Sequence, residues 1–333
     1  VDDPAWSTAN WDQDINAWTS FSSDCSATFG CTDSLATNYN STATTDDGSC
    51  TYQMTYVPDD NFEQALIDLG LDDILDDLVR TVSIDTVTNL NVSNKNISDL
   101  TGIEEFSSLT ILNCGYNPML TLNISQNINL IDLRCANNNL SSINLQNNTA
   151  LTTLVLTSFT FSGMITNLDL SNNTALSYLR CENNQLTNLD LSHNTALTKL
   201  YCDGNQLTHL DVSVNSNLVR LSCPFNQITN LDLSQLGLLY ALTCKDNQLT
   251  NLNLRNGNNL NYGAINTTNN PNLYCIDVDD PTWSIANWSN VDSWTSFSSN
   301  CNSVYGCTDP TASNYDATAT DDDGSCIAAC NII

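Results

Sequence analysis

The chain has 333 residues, with 37 Asp and Glu against 8 Lys and Arg and a formal net charge of −29. So acidic a surface excludes nucleic acid and anionic membrane as partners, and it suits a setting of high salt or divalent cations. No apolar run reaches the roughly 18 residues that a spanning helix needs, so no membrane insertion is predicted.

The opening segment, 1–29, returns near the end. VDDPAWSTANW begins at Val1 and VDDPTWSIANW at Val278, and Trp18-Thr-Ser-Phe-Ser-Ser returns from Trp294. This duplication predicts a window cut from a tandem array, with 1–29 the C-terminal cap of a preceding unit. The next segment, GCTDSLATNYNSTATTDDGSC (30–50), returns as GCTDPTASNYDATATDDDGSC (306–326). Cys31 and Cys50 lie 19 residues apart, as do Cys307 and Cys326. Loops this small and this rich in Asp and Ser bury little apolar surface and need a staple. A disulfide in each would contribute about 3 kcal/mol and implies an oxidising, extracellular setting.

Asp33, Asn38, Asp46 and Asp47 in the first loop match Asp309, Asn314, Asp322 and Asp323 in the second. Oxygen-rich loops suit Ca²⁺, the one cofactor the sequence suggests. The spacing is not that of an EF-hand, and a DG turn closed by a disulfide accounts for the same residues.

Residues 51–81 read as an N-terminal helical cap. Asp60 fits an N-cap, Phe62, Leu66 and Leu69 follow at helical spacing, and Gly70 ends the helix. A second short helix is expected at 72–78.

From 82 to 274 the chain is an array, regular from Leu109, in 21-residue units such as ALTKLYCDGNQLTHLDVSVNS (196–216). The pattern is L-x-x-L-x-C-x-x-N-x-L-x-x-L-D-L-x-x-N. Leu156 to Cys181 is longer by four residues, placed in a bulged loop at 157–164. The L-x-C and L-D-L segments both alternate with period two, which predicts two strands per unit. Asn117, Asn138, Asn184, Asn205, Asn226 and Asn247 follow the first segment, and Asn127, Asn148, Asn173, Asn194 and Asn215 follow the second. Asn binds neighbouring backbone and tolerates tight turns, so stacked coils would align these as ladders, with Leu236 a break in the second. Cys114, Cys135, Cys181, Cys202, Cys223 and Cys244 occupy inward positions, as small buried apolar residues do.

The same register places Arg134, Tyr178, Arg180, Lys199, Tyr201, Arg220 and Lys245 on the outward side of the L-x-C segments. Arg and Tyr are the residue types of interface anchors, which makes this a candidate binding face. Asp169, Asp190, Asp211 and Asp232 form an outward acidic ladder on the L-D-L segments, where like charges about 5 Å apart repel. His193 and His209 sit at ordinary repeat positions, and no phosphate loop or nucleophile elbow is present, so no catalytic residue and no enzyme are expected. Residues 275–302 read as a C-terminal cap, its tryptophans covering the last coil and a Cys275–Cys301 disulfide tying it down. A second loop module (303–326) and a tail or linker (327–333) complete the chain.

The 21-residue pattern over 109–260 resembles the leucine-rich repeat superfamily, in its irregular bacterial subclass. That resemblance implies a right-handed, mainly parallel β solenoid with its sheet on the concave side. The cysteine loops resemble GCTDPxAxNYDPxAxxDDGSC repeats of large secreted proteins of marine Bacteroidetes. This second resemblance implies export to the cell surface by the type IX system, within giant adhesin-like chains. The expected function is a structural or adhesive surface unit of a fibre or appendage, with itself, or a host, prey or matrix protein or glycan, as partner. The alternative is a monomeric ligand-binding module for glycan or protein.

Overall fold

The computed structural model describes residues 27–158, 164–259, 263–303, 305–322 and 324–327. The expectations for most of 1–29, the bulge within 157–164, Asp323 and nearly all of the tail lie outside these residues.

Strands β1 (Met54–Tyr56) and β2 (Leu78–Arg80) pair antiparallel around helix α1 (Asp60–Asp68). The N-cap is Asp59, not Asp60. Its backbone is extended, and its Oδ1 accepts the N–H groups of Asn61 and Phe62. Its Oδ2 accepts Ser98 N–H, Ser98 O–H and Asp99 N–H, so one carboxylate joins the cap helix to the first coil. Burial raises the cost of ionising Asp59, yet these bonds prevail and hold its pKa below the usual range. The helix expected at 72–78 does not form. Gly70 ends α1 in the left-handed region, and the buried Glu63 accepts the N–H groups of Asp76 and Leu78, folding this stretch back into β2. A short helix, α2 (Thr81–Ile84), leads into the array.

The array's strands each span three residues: β3 (Asn89–Asn91), β4 (Ile111–Asn113), β5 (Asp132–Arg134), β6 (Thr153–Val155), β7 (Tyr178–Arg180), β8 (Lys199–Tyr201) and β9 (Arg220–Ser222). After them come β10 (Asn230–Asp232), β11 (Ala241–Thr243), β12 (Asn251–Asn253), β13 (Ala264–Asn266), β14 (Cys275–Asp277) and β15 (Ser296–Ser298). Nine of them form one parallel sheet in the order β13-β11-β9-β8-β7-β6-β5-β4-β3, with the central Leu of each coil in register with the next. These leucines are buried, as are the six array cysteines, whose thiols are free.

The L-D-L segments are strands only at β10 and β12, which with β14 and β15 make a second, four-stranded sheet. Elsewhere they are coil, and in coil and strand alike the Asp or Asn turns its side chain back on the residue two further on. Asp190 accepts Ser192 N–H and Asp211 accepts Ser213 N–H, as Asp232 accepts Ser234 N–H at the end of β10.

Two columns of asparagine fix the stack. Asn226 donates to the carbonyls of Cys223 in its own coil and Cys202 in the one before, and accepts the N–H of Leu207. Asn117, Asn138, Asn184, Asn205, Asn247 and Asn270 repeat this bridging. The second column only donates: Asn215 reaches the Leu191 and Asn194 carbonyls, while its own oxygen, like those of Asn127, Asn148, Asn173 and Asn194, is buried without a donor among the described residues. A column bonded on one side alone tolerates the buried Leu236 at its next position.

At the far end, α3 (Pro281–Asn287) packs on β15, which pairs with β14, and the Cys275–Cys301 disulfide closes the cap. Trp288 is buried and meets Trp283 and Phe297 edge-on at 6.0 and 5.6 Å. Trp294, expected to cover the last coil with them, is 49% exposed. Disulfides Cys31–Cys50 and Cys307–Cys326 close the two loop modules, and β16 (Tyr305–Gly306) pairs with β17 (Asp321–Asp322) in the second.

Asn226→Leu should strand the buried Leu207 N–H and remove one of the two amide donors from each of the Cys202 and Cys223 carbonyls, at a cost of about 2 kcal/mol, whereas Asn215→Leu, imitating Leu236, should cost less. Urea unfolding of the two variants checks this, and the reverse ranking contradicts it.

Candidate functional site

Strand pairing sorts the expected binding residues into columns. Tyr178, Lys199 and Arg220 are in register along one line, and Arg180 is beside Tyr201 along the next. Tyr178 and Tyr201 lie 5.9 Å apart, Arg180 sits 5.4 Å over the Tyr201 ring, and Lys199 sits 5.9 Å over Tyr178. Cation–π contacts of this kind hold long side chains in place on an exposed sheet. Arg134 is two strands away in a bidentate pair with Asp132 at 2.9 Å. Lys245 stands outside both columns, over Phe225 and 3.3 Å from Asp246. The structure therefore brings five of the seven residues together on β7, β8 and β9, and sets Arg134 and Lys245 at either side.

Between Arg134 and Lys199 the face dips into an open groove of about 520 Å³. Tyr116, Arg134, Tyr178 and Arg180 line it above small side chains, Ala136, Thr153 and Val155.

The sequence reading missed two acidic residues beside this cluster. Glu182 is buried, binds Arg180 at 2.5 Å through Oε1 and accepts the Thr157 hydroxyl on Oε2. Asp203 holds the equivalent place one coil on, with Oδ1 buried and unpartnered among the described residues. Burial pushes the Asp203 carboxyl up to about 6 against a hydrogen bond with Ser222, and the Glu182 charge adds to the rise. The signal was in the repeat register: the residue after each array cysteine is Gly115, Ala136, Glu182, Asp203, Pro224 or Lys245, and two consecutive acids there are out of pattern.

The acidic ladder has a local role. Hydrogen bonds from Ser171, Ser192 and Ser213 hold the pKa values of Asp169, Asp190 and Asp211 below the usual carboxylate range, which offsets their mutual repulsion. Asp232 makes the same turn with Ser234.

In the disulfide loops the expected calcium ligands are engaged in turns. Asp33 accepts Leu35 N–H and the Tyr52 hydroxyl, Asp46 accepts Gly48 N–H, and Asp47 accepts Ser49 N–H. Asn38 and Asn314 clamp their loops across the ring, to Ser49 and Ser325 carbonyls. Asp309 accepts Thr311 N–H and Asp322 accepts Gly324 N–H. Among the described residues no three His, Cys, Asp or Glu side chains cluster to hold a metal. Burial pushes the Cys244 thiol up to about 12 and those of Cys181, Cys202 and Cys223 well above their ordinary value, so at neutral pH they supply neither nucleophile nor thiolate ligand.

Stacked parallel strands with Leu, Cys and Asn at fixed places define a leucine-rich repeat solenoid. Within that class the chain is similar to internalins of Listeria monocytogenes. A stretch of 72 residues, 22% of this chain, is 39% identical to internalin J and spans 8% of that protein. The solved functional domain of internalin J, which includes a cysteine ladder, matches with a TM-score of 0.60 at 35% identity, over 68% of this chain and 52% of that one. Internalin C2 matches with a TM-score of 0.52 at 25% identity, over 64% of this chain and 94% of its own. The chain thus spans about half of the internalin J domain and a small part of the whole protein. No family model matches it.

The folded chain keeps the Asp203 proton to higher pH than the unfolded chain does, so ionisation weakens the fold as pH rises from 3.8 through about 6. Asp203→Asn should therefore raise the thermal midpoint relative to the parent at pH 8, and the gap should fade towards pH 4. A gap that does not change with pH contradicts this.

Proposed function

We propose that this chain is an extracellular recognition module of a surface or secreted protein, which binds a partner protein on the exposed face of its nine-stranded sheet. The observation that carries this reading is the concentration of Tyr178, Arg180, Lys199, Tyr201 and Arg220 on three adjacent strands beside a groove. Rigid aromatic and cationic side chains at the centre of a patch are what interface hot spots are made of. Three disulfides support an oxidising compartment, and among the described residues no helix is long and apolar enough to cross a membrane. Likeness to internalin J and internalin C2, both leucine-rich repeat proteins in sequence or shape, supports a binding role over a catalytic one.

A fibre assembled from such units needs complementary surfaces along the whole array. The cation–aromatic contacts gather instead on a few coils, which favours an outside partner over self-pairing. Attachment remains part of this reading: tandem copies would raise avidity without any new contact.

The test is binding of the whole chain to arrayed secreted and surface ectodomains. Tyr178→Ala with Tyr201→Ala should cost any specific hit about 2 kcal/mol or more, roughly 30-fold in Kd, while Asp211→Asn on the acidic ladder should leave it unchanged. Hits lost with Asp211→Asn and kept by the tyrosine variant would overturn the assignment of the face.

A further inference from the structure

Lys199 and Arg220 are out of keeping with the rest of the charge distribution. The chain has 37 acidic and 8 basic residues, and four of the eight basic side chains pair with a carboxylate. Lys95, Arg134, Arg180 and Lys245 each pair with an acid, at 2.9, 2.9, 2.5 and 3.3 Å. Arg80 stacks on Tyr52 and Arg255 donates to the Ser299 carbonyl. Lys199 and Arg220 make no ion pair among the described residues, although both are exposed. They are also direct neighbours in register on β8 and β9, about 4.8 Å apart along the sheet, where two like charges repel. Asp132 is committed to Arg134, and Glu182 to Arg180 and Thr157, while Asp203 has a buried Oδ1 and makes no ion pair among the described residues.

We propose that Lys199 and Arg220 form an anion site for an acidic segment of the partner protein. One carboxylate of that segment bridges the two cations, and a neighbouring side chain lies in the groove over Ala136 and Val155, against Tyr178. This rests on the reading of the sheet face as the binding surface and adds the chemistry of what binds there. Lys199 is itself a wall of the groove, so the charged and apolar parts of the site are continuous. The surroundings select a single carboxylate over a polyanion. Glu182 and Asp203 follow the strands β7 and β8 that carry Tyr178 and Lys199, and the chain carries −29 overall, so a nucleic acid or a densely sulfated glycan meets net repulsion around this short positive strip.

A displayed library of random dodecapeptides, panned on the full chain at low salt, tests this. The expected outcome is enrichment of peptides carrying Asp or Glu next to an aromatic or aliphatic residue. Their binding, read by fluorescence anisotropy, should weaken at least about tenfold in the double variant Lys199→Gln, Arg220→Gln, the size of one lost charge-assisted bond, and should weaken further with added salt. Both side chains are exposed and free of ion pairs, so the variant should keep the parent's thermal midpoint. Enriched peptides without acidic bias, insensitive to K199Q/R220Q but lost with Tyr178→Ala, would overturn the inference and leave the binding face standing. Peptides insensitive to both variants would overturn both, and no enrichment at all would overturn the acidic segment as occupant.

Discussion

A 21-residue coil cannot satisfy its own backbone. It is too short to form a hydrogen-bonded element alone, and its apolar residues have nowhere to go except against another coil. The structure meets this constraint with a side chain that imitates the backbone. Each asparagine of the first column donates to carbonyls in its own coil and the previous one, and accepts an N–H from the coil before it. Leu and Cys then fill the space that the amides hold open. Free thiols of this kind act by size: a Cys fits the narrow inward position beside each strand, and Leu156 shows that another apolar residue is admitted there.

Function follows from the rigidity that this stacking confers. Strand side chains project at fixed intervals, so a column of exposed residues becomes a surface with defined geometry. The core positions vary only among residues that fit a packed interior, whereas the exposed ones vary freely, and it is there that Tyr178, Arg180, Lys199, Tyr201 and Arg220 depart from the repeat. The buried carboxylates behind them have a cost in stability. Glu182 offsets it with Arg180 and Thr157, but Asp203 has a buried oxygen with no partner among the described residues and holds its proton to higher pH. Stability given up behind an exposed cluster is the pattern expected of a working surface.

The repeating features were legible in the sequence because repetition makes a one-dimensional signal redundant. The strand carrying L-x-C, both Asn columns, the cysteines' burial and the three disulfides could be read from spacing alone. What could not be read depends on single contacts. Asp59 outcompetes Asp60 as N-cap because its second oxygen reaches Ser98 and Asp99, far away in sequence. Glu63 draws 72–78 out of helix by accepting two N–H groups. The L-D-L segments alternate as strands do, yet they pair only at β10 and β12, although the turn from Asp to the Ser two residues on is the same before and within β10. The residues proposed for the face could be assigned to the outward side from the repeat register, while their grouping required strand pairing, and Glu182 and Asp203 were hidden at a position that otherwise holds Gly, Ala, Pro and Lys.

The central claim is that amide columns lock the coils and so pre-form the recognition face. Native-state hydrogen exchange on the Leu186, Leu207 and Ile228 N–H groups, each bonded to an asparagine of the next coil, tests it most directly. The account predicts that all three exchange only through global unfolding, together with the strand amides of β7, β8 and β9. Exchange at the rate of exposed loop amides, with those strands still protected, would contradict it.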